Sequence, residues 1–133
     1  MAQEVLIEDI KTAGIIYAPK EVTAYEAAKL MRENQISSVA VLEGKTIAGI
    51  VTERDIIHRV ICQGQDPKQT KREQIMTAPA QTIDANQTVV DAARQMRRQK
   101  TRHLIVTEGR EAKGIISERD IIEIDPELHQ PGE

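Results

Sequence analysis

Gly49-Ile50-Val51-Thr52-Glu53-Arg54-Asp55-Ile56-Ile57 returns later in the chain as Gly114-Ile115-Ile116-Ser117-Glu118-Arg119-Asp120-Ile121-Ile122, at an offset of 65. Holding that offset and walking backwards, Glu43-Gly44 meets Glu108-Gly109, Ala27-Ala28 meets Ala92-Ala93, Met31-Arg32 meets Met96-Arg97, and Thr12-Ala13 meets Thr77-Ala78. From Ile10 to Ile57 the register holds without a gap, with 18 identities in 48 positions. Mismatches such as Glu26/Asp91, Lys29/Arg94 and Thr52/Ser117 keep their chemistry. The chain is therefore a tandem duplication. Each copy, at roughly 50 residues, is too short to bury a good core alone, so the two are expected to pack on each other.

One copy reads as strand, helix, strand, strand, helix. Ile15-Ile16-Tyr17 is extended before Pro19. Thr23 caps a helix running to about Asn34, with Ala27, Leu30 and Met31 on one face. Ser38 to Leu42 and Thr46 to Val51 are strands joined by a turn at Glu43-Gly44-Lys45. Thr52 opens a second helix, with Ile56, Ile57, Val60 and Ile61 at helical spacing. The second copy repeats this at Gln81–Ile83, Thr88–Gln99, His103–Thr107, Lys113–Ile116 and Glu118–Ile124. The fold class is α+β, with boundaries at 8–62 and 74–124. Residues 63–73, polar and holding Gly64 and Pro67, read as a linker. Residues 125–133, with two Pro, a Gly and three acids, are expected to be frayed or disordered.

Composition narrows the function. The chain has 133 residues, a net charge of −3, two Tyr, and neither Phe nor Trp. That balance argues against nucleic-acid partners that require phosphate neutralisation or base-stacking aromatics, and it makes the core aliphatic. No apolar run approaches the ~20 residues of a membrane span. Met1 to Lys11 carries acids and no signal-like apolar stretch. A single cysteine cannot close an internal disulfide, which fits a reducing, cytoplasmic setting.

These motifs in this order resemble the CBS domain, in the tandem pair called a Bateman module. The resemblance covers about Glu8 to Ile124. It rests on Ile75-Met76-Thr77-Ala78-Pro79, on Asp91-Ala92-Ala93-Arg94-Gln95-Met96, on Arg102-His103-Leu104-Ile105-Val106, and on the two Gly-x-x-Thr/Ser-x-x-Asp segments. It implies two β-α-β-β-α units related by a pseudo-two-fold axis and packed through their small sheets. It also implies adenosine-nucleotide binding in the clefts between them, a regulatory rather than enzymatic role, and a homodimer formed through helical faces.

Thr52-Glu53-Arg54-Asp55 has two readings. One is a capping box, with Asp55 reaching back to the start of the helix. The other is a ligand site, where helix N–H groups and a hydroxyl suit phosphate and a carboxylate accepts both hydroxyls of a ribose diol. The resemblance assigns Asp55 and Asp120 to ribose, and Thr52 and Ser117 to the polar end of the ligand. It brings Arg102 and His103 to the phosphates of the nucleotide held by Asp55, and leaves Ser37 and Ser38 for the cleft of Asp120. The first cleft is then the one for the more anionic ligand. Arg54 and Arg119 are either further phosphate contacts or solvated helix charges. For adenine, the resemblance points to Thr12 to Ile16 beside Asp120 and to Thr77 to Gln81, including Ala80, beside Asp55. Tyr17 either covers a base or packs half-buried.

His58 and Cys62 stand four apart and lack a third metal ligand, so a solvent-facing His and a buried Cys are expected. No catalytic triad, carboxylate pair or phosphate-binding Gly-x-x-x-x-Gly-Lys loop appears. The sequence thus points to a sensor of AMP, ADP or ATP, or of NAD or S-adenosylmethionine, without a catalytic cofactor and read by an unidentified regulated protein. The alternative is a ligand-independent dimerising scaffold.

Overall fold

A computed structural model of the chain describes residues 5–10 and 14–128. It contains two compact units, one of residues 15–80 and one joining the N-terminal segment to residues 81 onwards. In the first, β1 (Tyr17–Ala18) pairs parallel with β2 (Ser38–Glu43), which pairs antiparallel with β3 (Thr46–Thr52). In the second, β4 (Thr82–Asp84), β5 (His103–Glu108) and β6 (Glu111–Ser117) repeat that order and those directions. Even the irregularities repeat at the offset of 65: a register shift lies at Val41/Leu42 and again at Val106/Thr107.

The helices follow from their caps. Thr23 accepts the Glu26 N–H and starts α1 (Ala24–Asn34), and Thr88 accepts the Asp91 N–H and starts α4 (Val89–Gln99). Each carboxylate reaches back to its cap's N–H, which satisfies a second donor that the helix cannot. Both helices stop at a left-handed residue, Gln35 with φ 53° and Lys100 with φ 55°. Ala27 and Met31 of α1 pack with Val39, Val41 and Val51 of the sheet, and Ala92, Ala93 and Met96 of α4 pack with Leu104, Val106 and Ile116. Both cores are wholly aliphatic, as the composition requires.

The second helix of the first copy departs from its expected shape. α2 (Glu53–Ile56) continues as a π-helical turn over Ile57–Ile61, with Cys62 donating to the Ile57 carbonyl at 2.9 Å. An i→i+5 turn inserts one residue per turn and rotates the faces that follow. Val60 alone reaches full burial, while Ile57 and Ile61 stay 52% and 57% exposed. Cys62, expected inside, is exposed for the same reason.

The segment read as a linker, together with residues 74–80 that the sequence reading gave to the second copy, is built into the first unit. Ala24 and Tyr25 donate to the carbonyls of Thr70 and Pro67, α3 (Arg72–Ile75) carries the fully buried Ile75, and Lys71 bridges Thr23. The N-terminal segment does the same for the second unit. Leu6 bridges Thr88, Ile7 donates to Gln87, and the 3₁₀ turn Ile7–Asp9 buries Ile7 in that core. Each copy is thus completed by residues that precede the other copy in sequence. After α5 (Glu118–Ile124), the expected fraying does not begin at Asp125. A 3₁₀ turn, Pro126–Leu128, is held by Asp125, which accepts from the N–H groups of Glu127 and Leu128, and Leu128 packs on the core. The remainder of that segment lies outside the described residues.

Candidate functional site

Of the residues singled out in the sequence, Ile16, Ser37, Ser38, Thr52, Arg54, Asp55, Thr77 and Ala80 belong to the first unit. Arg102, His103, Ser117, Arg119 and Asp120 belong to the second. Thr12 lies outside the described residues.

In the first unit β3 delivers Thr52 to the helix start. The Thr52 N–H donates to Asp55 Oδ2 at 2.9 Å, and the Asp55 N–H donates to Thr52 Oγ1 at 3.1 Å. The Glu53 N–H donates to the Ser37 carbonyl at 3.0 Å. The capping reading is therefore realised, and these three N–H groups are already engaged. That leaves less of the helix start for phosphate than the motif suggests. What the cap does provide is a carboxylate fixed by two local bonds and buried to 8% exposure. Burial pushes the Asp55 carboxyl above its usual range, against the opposing pull of the Thr52 N–H and hydroxyl and the guanidiniums of Arg59 and Arg54.

A second strand-like contact runs beside this turn. Ile50 and Thr77 exchange both backbone hydrogen bonds, at 3.0 and 2.8 Å, so Met76 and Thr77 lie against β3 two to three residues ahead of Thr52. The approach is close because Gly49 has no side chain. A Cβ there would lie 2.6 Å from the Thr77 carbonyl oxygen and 3.0 Å from Met76 Sδ. Thr77 is exposed and Ala80 half-buried, in the same unit as Asp55. Ile16 also lies in this unit; its carbonyl accepts from Ala40 and its side chain packs on the core. Ser38 is buried at the start of β2, opposite Thr52. Tyr17 is 45% exposed.

Arg59 is the residue that sequence reasoning missed here. Its Nη1 donates to the carbonyls of Ile75 and Met76 at 3.3 and 3.0 Å, and its Nε lies 3.8 Å from Asp55 Oδ1. The available signal was a mismatch at the offset of 65, where Arg59 faces Ile124.

The second unit repeats the turn. Ser117 donates its N–H to Asp120 Oδ2 at 2.8 Å and its hydroxyl to the same oxygen at 3.1 Å, and Asp120 returns its N–H to Ser117 Oγ at 3.3 Å. The surroundings differ. Arg102 forms an ion pair with the buried Glu118 at 3.3 Å, while its carbonyl accepts the Glu118 N–H at 2.9 Å. Its charge is thus partly matched from within the unit. Arg102 and His103 differ in charge. Burial pushes the His103 imidazole down to about 4, with Asp120 pulling the other way, so the ring is neutral at physiological pH. Arg54 and Arg119 stand on exposed helix surface. Among the described residues no group of three or more metal-type ligands forms, and no helix is long and apolar enough to cross a membrane.

With two such turns on two such sheets, comparison with known proteins gives one answer. The CBS domain model matches residues 7–61 and again 73–127, and the chain belongs to the CBS domain family. A pair of CBS domains is a regulatory module, typically not a catalytic one. The chain resembles the structure of a putative signal-transduction protein with CBS domains from Burkholderia ambifaria, at 32% identity and a TM-score of 0.81, covering 96% of each chain. It also resembles a hexameric CBS-CP12 protein from bloom-forming cyanobacteria, at 28% identity and a TM-score of 0.84, covering 97% of this chain and 77% of that one. An uncharacterised protein of Methanopyrus kandleri is 31% identical over 128 residues, 95% of this chain and 65% of its own length. The chain spans between 51% and 65% of the length of three such curated relatives.

Proposed function

We propose that this CBS pair senses adenosine nucleotides: AMP, ADP or ATP, or a larger adenosine compound such as NAD or S-adenosylmethionine. The observation that carries the reading is the Asp55 carboxylate, held in a capping turn, buried, and joined through Arg59 to the Ile75 and Met76 carbonyls. It recurs in kind at Asp120. An ionised carboxylate is an acceptor only, and its two oxygens match the two O–H donors of a ribose 2′,3′-diol. In this reading the 76–80 segment offers backbone groups and aliphatic walls to the base held with Asp55, Ile16 does so for the base held with Asp120, and Thr52, Ser117 and the arginines 54, 102 and 119 are candidates for phosphate contacts. The ligand is regulatory and there is no catalytic cofactor. A ligand regulates only if its affinity differs between conformations of the chain. The regulated partner is another protein, and a reducing, cytoplasmic setting fits the exposed Cys62.

Titration calorimetry of the purified chain with AMP, ATP and adenosine tests this. The expected result is binding that Asp55→Ala and Asp120→Ala each remove in part and the double variant removes entirely. Absence of binding in the parent, or binding that survives both changes, overturns it.

A second reading, a ligand-independent scaffold that dimerises through helical faces, draws on Ile57, Ile61 and Ile124, which stay 52%, 57% and 42% exposed. Sedimentation with and without nucleotide separates the two, because a scaffold assembles identically in both.

A further inference from the structure

The two capping turns are nearly superposable in sequence, yet only one has a basic side chain one helical turn further on. At the matched position the second copy has Ile124, which is 42% exposed. Arg59 joins three groups from two segments: the Asp55 carboxylate on its own helix and the carbonyls of Ile75 and Met76, sixteen and seventeen residues away. Those carbonyls lie at the head of the segment that continues through Thr77, where the pairing with Ile50 and the close pass over Gly49 begin. A planar guanidinium presents several N–H donors in a fixed plane, so holding both carbonyls on Nη1 also fixes where Nε faces.

We propose that Arg59 is a positioning residue for the first copy's ligand site, tying the ribose-accepting carboxylate of Asp55 to the segment that lines the base, and that the second copy's site lacks this tie. This rests on the adenosine reading above. The first site is then ordered before ligand arrives, and less of the interaction energy goes into ordering it. Because Arg59 touches Asp55 and not the phosphate end, its contribution is the same for adenosine and for AMP.

A purely structural tie and a positioning role differ in one observable. The charged groups acting on the Asp55 carboxyl are Arg59 and Arg54, with the Thr52 N–H and hydroxyl, and all of them oppose the effect of burial. Without Arg59, burial is less opposed and the carboxyl takes up its proton at higher pH. Diol binding that needs the ionised carboxylate is then lost earlier on acidification.

The test is calorimetric titration of the full chain with adenosine, in the Asp120→Ala background, where only the first site remains. Arg59→Met is expected to weaken adenosine and AMP alike by roughly tenfold, the scale of one hydrogen bond to a charged group. It should also move the acid limb of binding to higher pH. Arg59→Lys keeps the charge without the fork, so it should retain the parent's acid limb at intermediate affinity. Unchanged affinity in Arg59→Met overturns the assignment, as does weakened affinity with an unmoved acid limb, or Arg59→Lys behaving as Arg59→Met in the pH profile. If neither the parent nor the Asp120→Ala chain binds adenosine at all, the adenosine reading itself falls and the role of Arg59 falls with it.

Discussion

The turn at Thr52–Asp55 and the turn at Ser117–Asp120 are made by one rule and finished by two. In both, a hydroxyl accepts the N–H of the third residue on and a carboxylate accepts the N–H of the cap, within 0.2 Å of the same lengths. Beyond the turn they part. Asp55 is buried beside Arg59, whereas Asp120 is half-buried and acts on a neutral His103. Local chemistry survives duplication because it needs only two residues three apart. Longer-range partners diverge because each lies on a segment free to change alone.

The largest expected effect is at the close pass over β3. Gly49→Ala places a methyl 2.6 Å from the Thr77 carbonyl, a backbone atom that cannot swing aside. Displacing the paired segment should cost roughly 2 kcal/mol, a Tm lower by about 8 °C for a chain of this size. The same change should weaken adenosine at the Asp55 site. A thermal melt superposable on the parent's would mean that residues 76–77 are not held as described.

Next in size is a pH effect confined to the second copy. His103 is depressed in the folded chain to about 4 from its ordinary 6.5. The unfolded chain therefore binds the proton first on acidification. Stability from this source is complete above about pH 6.5 and is lost as pH falls towards 4, by about 1–2 kcal/mol once part exposure is allowed for. The matched residue in the first copy is Ser38, which does not titrate. His103→Ser should therefore flatten the loss of stability between those pH values, followed by urea melts at several pH values, whatever it does to stability at pH 7. An unchanged slope would show that His103 titrates normally.

Smaller still, and equal by design, are the caps. Thr52→Ala and Ser117→Ala should each cost about 1 kcal/mol in denaturant melts, and Thr52→Ser close to nothing. A large inequality between the two alanines would show that the turns are not interchangeable even locally.

The same division explains what the sequence made legible. The order of elements, the caps at Thr23, Thr52, Thr88 and Ser117, and the aliphatic cores follow from residues within a few positions of each other. The π-helical turn does not, because Ile56, Ile57, Val60 and Ile61 fit an α-helical face equally well on paper. Nor does the built-in role of residues 67–77. Four-residue α3 is too short to show a period, and its anchor, Ile75, follows a polar stretch with only Met76 beside it as a further apolar residue. Asp55 and Asp120 were visible as a pair from their motif. Arg59 was not, because two of its partners are the carbonyls of Ile75 and Met76, on a stretch that the sequence reading assigned to the second copy.

The exchange of completing segments offers the subtlest contrast. At the offset of 65, Arg72 of α3 matches Ile7, which is fully buried in the core of the second unit. The first unit places a guanidinium at that position, pairs it with Glu43 and Glu73, and leaves its Nη1 buried without a partner. An unpaired buried donor costs stability that an aliphatic group of similar reach does not. Arg72→Ile, which borrows the second unit's solution, should therefore leave Tm unchanged or raise it slightly. Glu43→Ala, which strips the guanidinium of its partner while keeping it in place, should lower Tm. If Arg72→Ile instead lowers Tm more than Glu43→Ala, the Arg72–Glu43 pair is a net stabilising feature of the first copy, and the two completing segments are equivalent in backbone only.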